Sequence, residues 1–420
     1  MKNWQKKLLT FTRNNFLAKI TPFKAVRPVK NKAHLICSRP FYTYQKEQLK
    51  SKLESNPHSF LHVINPEFNK SDISKPNSSE RFQLIKKKYL DFKKKKFLIK
   101  EQKSIFYLYR QTTNYGVFTG IIAGASVKDY QENKIKKHEN IIDKRKKVFK
   151  KYLETCNFHA EPVLLAYQPS KRISEIILSE SSKKPEYEFT TSDKKSHELW
   201  LIDSSEKIDK IINEFENLNN IYIADGHHRI ASSSLFQKSN PNHKEGNYFL
   251  SLFIDQNDLK IFEFNRIVKD IGGLSKNELL NKIESYFKTK KIKKHRPPSS
   301  KSEVCLYVEN EWYLLKVNEE ALENDIKSSL NSQMVSDLIL KRILNIENLS
   351  SNTNIEYIKG NQPISLLSKR VDQNIKSIGI ELFPHNIEEI TSMADIGENM
   401  PPKSTWIEPK LRSGLTIYEY

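Results

Sequence analysis

Residues 221–229 constrain the local fold more than any other stretch of this chain. They read Ile-Tyr-Ile-Ala-Asp-Gly-His-His-Arg, and the helix-prone run Ile-Ala-Ser-Ser-Ser-Leu-Phe follows them. An apolar run that ends at Asp225-Gly226 and leads into such a segment predicts a strand, a tight turn and a helix start. Gly226 can adopt the backbone conformation that other residues resist, so it suits the turn.

This turn predicts a site for an anion, and a phosphate chain fits it best. The first amides of a helix lack partners within the helix and attract negative charge. Arg229 would add a cation that can bind two phosphate oxygens at once. His227 and His228 could transfer protons near neutral pH. The alternative is an ordinary Asp-Gly turn with two histidines that cap the helix.

A zinc site is poorly supported, because the sequence contains no Cys-x-x-Cys pair. His58 and His62 have a His-x-x-x-His spacing, but we predict an extended segment there. Residues four apart in an extended chain lie about 13 Å from each other, too far to share an ion.

The composition favours a folded protein of two or three domains. The chain has 420 residues, 37% of them hydrophobic, with 22 Phe and 18 Tyr. Its formal net charge is +20, which would suit nucleic acid, but the lysines are spread along the whole chain rather than clustered. We therefore interpret most of them as solvated, and nucleic acid as an unfavoured partner.

Three scattered cysteines and the lack of a long apolar run predict a cytoplasmic protein without a membrane span. Residues 1–16 contain no acidic residue and no secretory signal, so residues 1–18 are expected to be a disordered or spurious extension.

Alternating strand and helix patterns predict an α+β (mixed α/β) fold. We expect an N-terminal α/β region over 19–197, a core region over 198–345 that holds the Asp-Gly-His-His-Arg turn, and a C-terminal segment over 346–420 that completes the site.

Within these regions, residues 60–64, 105–111, 117–126, 163–168, 199–202, 221–224 and 414–418 are predicted as strands. Residues 128–155 are predicted to be a long charged helical region. Residues 169–197 are predicted to be irregular or an excursion, and residues 289–302 a basic, proline-containing linker or loop. Residues 248–254 and 259–265 are predicted to pair with each other across a turn, and 304–308 with 311–317.

Several separated blocks resemble the domain-of-unknown-function family 1015, from about Ile20 to Tyr420. The blocks include residues 22–28, 56–63, 135–139, 224–229, 265–270, 400–406 and 409–415. The name of the family leaves its activity open.

Residues 226–229 are also similar to the Gly-x-x-Arg phosphate-contacting turn of the ParB/sulfiredoxin superfamily, whose members bind ATP, ADP or CTP. His227 stands where sulfiredoxins have a cysteine, so sulfinic acid repair is not expected. The Asp-Gly-His-His-Arg form is closest to the free-serine kinases of that superfamily. The resemblance implies a ParB/sulfiredoxin-like nucleotide-binding core with an additional α/β subdomain. It also implies ADP or ATP with Mg²⁺ as cofactors, and Asp225 orienting the nucleophile or a metal.

Two other blocks supply candidate site residues. In Lys136-Lys137-His138-Glu139, His138 and Glu139 are candidate acid–base groups and Lys137 a phosphate clamp; a helix with a Lys136–Glu139 pair is the alternative.

The second block is Pro401-Pro402-Lys403-Ser404-Thr405. Its prolines predict a rigid, extended backbone that presents the Lys403 cation and the hydroxyls of Ser404 and Thr405 to a ligand. The alternative is an ordinary loop with Lys403 in solvent. Arg266, at the end of a predicted strand, either reaches a ligand phosphate or pairs with an acid.

Together these residues predict an enzyme that handles a small phosphorylated metabolite. A serine kinase or a phosphoserine phosphotransferase or phosphatase is the most concrete version. The predicted catalytic residues are Asp225, His138, Glu139 and His227. The predicted phosphate or nucleotide ligands are Gly226, His228, Arg229, Lys137, Arg266, Lys403, Ser404 and Thr405. A nucleotide-gated DNA-binding protein and a regulator that binds a phosphometabolite without chemistry are the alternatives.

Deletion of residues 2–16 is expected to leave the folded protein intact, because they precede the first family-like block. Circular dichroism and thermal unfolding of the shortened chain check this. Loss of the folded state would show that these residues belong to a domain.

Overall fold

The computed structural model describes residues 18–420, so the expectation for residues 1–16 lies outside the described residues. By its internal contacts the chain divides into two units. Of the described residues, unit 1 contains 18–137, Ile141–Leu259 and Pro409–Tyr420, and unit 2 contains His138–Asn140 and Lys260–Glu408. The boundaries expected near residues 197 and 345 therefore fall inside units, because strands on either side of each boundary share a sheet.

Unit 1 is built around a mixed sheet of nine strands, with helices along the connections. Its helices are α1 (Ala33–Ile36), α2 (Lys46–Ser55), α3 (Leu61–Ile64), α4 (Ser79–Lys94), α5 (Val127–Gln131), α6 (Asp143–Cys156), α7 (Lys171–Ser181), α8 (Ser205–Glu216) and α9 (His227–Ser239).

Its strands are β1 (Ile20–Thr21), β2 (Val26–Pro28), β3 (Leu98–Lys100), β4 (Phe106–Thr113), β5 (Gly116–Ser126), β6 (Ile135–Lys136), β7 (Phe158–His159), β8 (Val163–Tyr167), β9 (Tyr187–Thr190), β10 (Ser196–Ile202), β11 (Ile221–Asp225) and β12 (Tyr248–Asp255).

The sheet order in unit 1 is β6-β11-β8-β12-β5-β4-β10-β9, with β1 paired to β5. Strand β8 is buried along its whole length, as its unbroken run of apolar residues requires. It lies between β11 and β12, so β11 runs through the interior of the unit and delivers Asp225 at its end. Hydrophobic side chains such as Leu165, Ile223 and Phe253 form the core around these strands.

Unit 2 is built around a second sheet of seven strands. Its elements are β13 (Lys260–Val268), α10 (Lys276–Glu284), β14 (Phe287–Ile292), β15 (Glu303–Val308), β16 (Glu311–Val317), α11 (Asn331–Met334), a π-helix over Val335–Ile343, β17 (Ile355–Lys359), α12 (Ser365–Val371), β18 (Ile378–Glu381), α13 (Ile387–Asp395) and β19 (Thr405–Glu408). The order is β14-β16-β15-β18-β13-β17, and β19 pairs with the start of β13. The final strand of the chain, β20 (Tyr418–Glu419), pairs with β7 in unit 1.

The mixed α/β fold class is confirmed, and most long elements lie where the sequence predicts them. The predicted pairing of residues 248–254 with 259–265 is wrong, because β12 pairs with β5 and β8 whereas β13 pairs with β17, β18 and β19. A short polar turn signal between two apolar runs does not reveal that each run joins a different sheet.

Five other local predictions are wrong in whole or in part. Residues 61–64 form a helical turn, because a short apolar run fits a helix as well as a strand. The region 128–155 contains α5, β6 and a loop before α6, and 169–197 contains α7 and β9. Residues 289–292 of the expected linker belong to β14, in which Phe287 is buried and the lysines are exposed. Of residues 414–418, only Tyr418 lies in a strand.

Replacement of Gly120 by alanine is expected to destabilise unit 1. Gly120 lies in the middle of β5, and a Cβ atom there would collide with the carbonyl oxygen of Phe253 on β12. Relieving such a clash costs about 1–3 kcal/mol in a packed core. Urea unfolding measures the change. Val117→Ala, at an exposed position of the same strand, is the matched control; equal losses in both variants would contradict the packing argument.

Candidate phosphate-binding turn

The strand, turn and helix start predicted for residues 221–236 are present as β11, Gly226 and α9. Gly226 has a φ of 104°, in the region that favours glycine. A Cβ atom at this position would lie 2.8 Å from Nη2 and 3.0 Å from Nε of Arg229. Glycine is therefore required twice here, for the backbone turn and for the space that the guanidinium occupies.

Arg229 is held by groups of its own unit. Its Nη1 forms an ion pair with Oε1 of Glu161, and its Nη2 donates to the carbonyl oxygen of Pro162 at 3.2 Å. The Arg229 side chain is only 15% exposed. Its Nε–H finds no acceptor within residues 18–420, which leaves one buried donor for another molecule.

Asp225 forms the second ion pair of the turn, with Lys410. The Lys410 Nζ lies 2.9 Å from Oδ2 of Asp225, and both side chains are largely buried. Burial alone would raise the pKa of Asp225, but the positive charges of Lys410 and Arg229 outweigh it and lower the pKa to about 2. Asp225 is thus a carboxylate at all physiological pH values.

Glu161 behaves in the opposite way. Burial raises the pKa of its carboxyl group, Arg229 lowers it and Asp225 raises it, and the net direction is upward. The Ser413 hydroxyl donates to Oε2 of Glu161 at 3.3 Å. Two carboxylates of one site thus have pKa values displaced in opposite directions, a pattern typical of acid–base pairs.

His227 of the turn is neutral at physiological pH. Burial lowers the pKa of His227 to about 3 despite the nearby Asp225. His228 accepts a hydrogen bond at Nε2 from the Ile142 amide at 3.2 Å. The expectation that His227 titrates near neutral pH is therefore wrong, because burial outweighs the neighbouring carboxylate. His159 of β7, whose pKa burial also lowers to about 3, lies 3.0 Å from the Ser233 hydroxyl on α9.

Lys137 belongs to unit 1, whereas His138 and Glu139 belong to unit 2. Lys136 ends β6 and the next residues are not helical, so the alternative of a Lys136–Glu139 pair on a helix is wrong. Lys137 is exposed, and its charge acts on His227. His138 is buried, and its carbonyl oxygen accepts from the Met400 amide at 2.8 Å.

Arg266 lies in unit 2 and is fully buried. Its guanidinium donates to the Ser336 hydroxyl at 3.1 Å and to the Ser332 carbonyl at 3.2 Å. Burial lowers the pKa of Arg266 to about 10. These contacts stabilise the start of the π-helix, and they leave the guanidinium inaccessible to solvent.

Ser404 also lies in unit 2, within a buried chain of hydrogen bonds. Its hydroxyl donates to the Pro401 carbonyl at 2.7 Å and lies 2.9 Å from the Ser332 hydroxyl. The Ser332 hydroxyl lies 2.8 Å from Nε2 of His385, whose Nδ1 lies 2.8 Å from Glu389. The relay resembles a Ser-His-acid arrangement, yet both serines are buried.

Lys403 has a φ of 57° and its Nζ lies 5.6 Å from the centre of the Phe264 ring, while Thr405 begins β19.

The predicted site residues divide between the two units. Asp225, Gly226, His227, His228, Arg229 and Lys137 lie in unit 1. His138, Glu139, Arg266, Lys403, Ser404 and Thr405 lie in unit 2. Their convergence on one pocket stays a prediction.

Sequence reasoning missed Glu161, Lys410 and Ser413 as members of the site. Lys410 and Ser413 lie in a block that resembles the family, yet nothing local assigns them to a turn 185 residues earlier in the chain. Glu161 precedes a proline and a strand in an unremarkable sequence.

Within residues 18–420, no group of three or more His, Cys, Asp or Glu side chains is arranged to hold a metal ion. None of the described helices combines the length and apolar character needed to cross a bilayer.

Residues 20–338 match the protein family described as "Protein of unknown function (DUF1015)", and the chain belongs to this family. No curated protein sequence matches it.

Among solved structures it is similar to a free serine kinase variant in complex with AMP, with 14% identity and a TM-score of 0.37 over 71% of this chain and 92% of that one. It is also similar to C-terminally truncated SbnI from Staphylococcus aureus (11% identity, TM-score 0.39, 71% and 87% coverage). A third similar structure is a conserved hypothetical protein from Pyrococcus furiosus, with 15% identity and a TM-score of 0.34 over 70% of this chain and 95% of that one.

The stability that Asp225 contributes is expected to disappear in acid. Because its folded pKa of about 2 lies below the ordinary value of 3.8, the contribution is complete above pH 3.8 and is lost as the pH falls through about 2. The native chain should exceed Asp225→Asn in unfolding free energy by about 2 kcal/mol at pH 6, and the difference should shrink towards pH 2. Urea unfolding at several pH values measures it. Asp209→Asn, on exposed α8, is the control; a pH-independent difference for Asp225 would contradict the ion pair.

Proposed function

We propose that this member of the DUF1015 family is a phosphotransferase that uses ATP or ADP to phosphorylate a small hydroxyl-bearing metabolite, with free serine as the first candidate. The observation that carries the proposal is the arrangement around Gly226. Two cations, Arg229 and Lys410, alternate with two carboxylates, Asp225 and Glu161, at the N-terminus of α9, and all four side chains are half-buried. The helix adds partial positive charge at the same place.

The cations would bind and position the phosphates. A guanidinium has five donors, so Arg229 can keep its contacts to Glu161 and Pro162 while its remaining Nε–H binds a phosphate oxygen. Lys410 can add a second cation beside the transferred group. Phosphoryl transfer depends mainly on such positioning and charge stabilisation.

The acidic residues would divide the remaining tasks. Glu161, whose pKa is raised, is suited to accept the proton of the attacking hydroxyl as its oxygen bonds to phosphorus and the bond to the leaving nucleotide phosphate breaks. Asp225 stays ionised and partly exposed, which fits a carboxylate that binds Mg²⁺ together with phosphates. Mg²⁺ would neutralise phosphate charge when bound.

Exposed aromatic side chains beside the turn offer a surface for a nucleobase. Tyr42 is 54% exposed and lies next to Arg229, and the neighbouring Phe41 is 47% exposed. Aromatic rings in such positions stack on bases. This supports a nucleotide, rather than free phosphate, as the ligand.

Replacement of the Glu161–Arg229 pair by two glutamines is expected to weaken nucleotide binding at least about tenfold, since charge-assisted hydrogen bonds are worth about 1.5–3 kcal/mol. The double variant Glu161→Gln/Arg229→Gln avoids leaving one buried charge without its partner. Calorimetry with ATP, ADP and CTP measures affinity, and phosphorus NMR with serine measures turnover. Arg145→Gln, on the exposed part of α6, is the control.

Unchanged nucleotide affinity in the double variant would overturn the assignment of the turn. Nucleotide binding by the native chain without phosphoryl transfer to any hydroxyl acceptor would make it a binding regulator instead. A CTP preference coupled to DNA binding would favour a DNA-binding protein. Glu139→Gln, measured in parallel, tests the base predicted from the sequence: a loss of turnover with unchanged affinity would assign that role to Glu139 rather than to Glu161.

A further inference from the structure

A cavity in unit 1, distinct from the turn at Gly226, has a volume of about 600 Å³, within the range of small-molecule sites. It lies between α1, α2 and the turn before β10, and polar side chains form most of its wall. Hydroxyl and amide groups contribute much of this lining: Ser38, Ser51, Ser59, Thr191, Ser192, Gln48 and Asn56.

Ser38 supplies a buried hydroxyl to this cavity. The residue is 3% exposed, and its Oγ has no hydrogen-bond partner within the described chain. Its backbone is fixed by two hydrogen bonds with Ser413, of 3.2 and 2.9 Å. Buried hydroxyls are nearly always paired, so a rigidly placed unpaired one in a cavity wall indicates a missing ligand.

Arg39 supplies a cation beside that hydroxyl. Its guanidinium lies 4.2 Å from the centre of the Tyr44 ring, and its backbone amide donates to the Tyr44 hydroxyl at 3.1 Å. Among residues 18–420, no carboxylate forms an ion pair with this guanidinium. Stacking on Tyr44 orients the planar donors of Arg39 before any ligand binds.

The opposite wall of the cavity is held rigidly by hydrogen bonds, and its two charges, on Arg412 and Asp193, cancel. Arg412 is buried and donates to both oxygens of Asp193 at 2.7 and 3.0 Å, to the Thr191 hydroxyl at 2.7 Å and to Nε2 of His197 at 3.1 Å. Tyr109 fixes the other ring nitrogen of His197 at 2.8 Å. Burial first, and then the Arg412 charge, lower the pKa of His197 to about 3, so the ring stays neutral.

We propose that this cavity binds a small carboxylate that carries a hydroxyl group, with Arg39 and Ser38 binding the carboxylate. The charged lining has three cations, Arg39, Lys52 and Arg412, against the carboxylates Glu47 and Asp193. One positive charge in excess matches a carboxylate better than a doubly charged phosphate. Glu47 and the hydroxyl-rich wall can bind an ammonium or a hydroxyl on the same molecule.

Carboxylate binding in this cavity does not depend on the proposed function. Only the role of the bound carboxylate as phosphoryl acceptor rests on it. Ser413 connects the two sites, because its backbone pairs with Ser38 while its hydroxyl donates to Glu161. The acceptor would thus be bound one residue away from the group proposed to take its proton.

Calorimetry without nucleotide tests the cavity, with L-serine, D-glycerate, L-alanine and inorganic phosphate as the probes. We expect serine or glycerate to bind more tightly than alanine and phosphate. Arg39→Gln should raise the Kd at least about tenfold, as loss of a charged hydrogen-bond donor does. Ser38→Ala should raise it severalfold and leave the thermal unfolding temperature unchanged, because that hydroxyl makes no bond within the described chain. Arg145→Gln should bind like the native chain.

Equal affinity of the native chain and Arg39→Gln for every probe would overturn the inference, as would tighter binding of phosphate than of any carboxylate. Nucleotide affinity, measured on the same variants, separates the two proposals. Arg39→Gln should bind ATP and ADP normally. If the chain binds a carboxylate through Arg39 but binds no nucleotide, the carboxylate site is supported and the proposed phosphotransferase is rejected.

Discussion

The ion pair between Glu161 and Arg229 is the interaction on which the candidate site depends. It places a guanidinium under the Gly226 turn, where a side chain larger than hydrogen would collide with it. Because both groups are largely buried, removal of either one leaves a charge in a poorly solvated position, which costs far more than loss of a surface pair. The pair therefore fixes the geometry of the turn before any ligand arrives.

The second pair, Asp225 with Lys410, gives the site its internal balance. Four charges of alternating sign lie around the start of α9, and they sum to zero. A site of this kind differs from a simple cationic pocket, because an entering phosphate competes with carboxylates already present. It favours ligands that bring their own cation or that engage donors not yet used, such as the Nε–H of Arg229.

The sequence predicts the parts of this site that are local, and only those. The strand, glycine turn and helix start over residues 221–236 follow from apolar patterning and turn chemistry within a few residues. Glu161 and Lys410 lie 68 and 185 residues from their partners, and no short-range pattern encodes such contacts. The histidines illustrate a second limit, since burial, which the sequence does not display, lowers the pKa of His227 far below neutrality.

Residues 409–420 belong to unit 1 although all of unit 2 precedes them in the chain. On the ribosome, Glu161 and Arg229 emerge long before Lys410 and Ser413, and domains generally begin to fold from the N-terminus during synthesis. A nascent chain therefore carries an incomplete charge arrangement until unit 2 has been translated. Products of premature termination within unit 2 would lack Lys410, Arg412 and Ser413 together, so neither site of unit 1 would be complete in them.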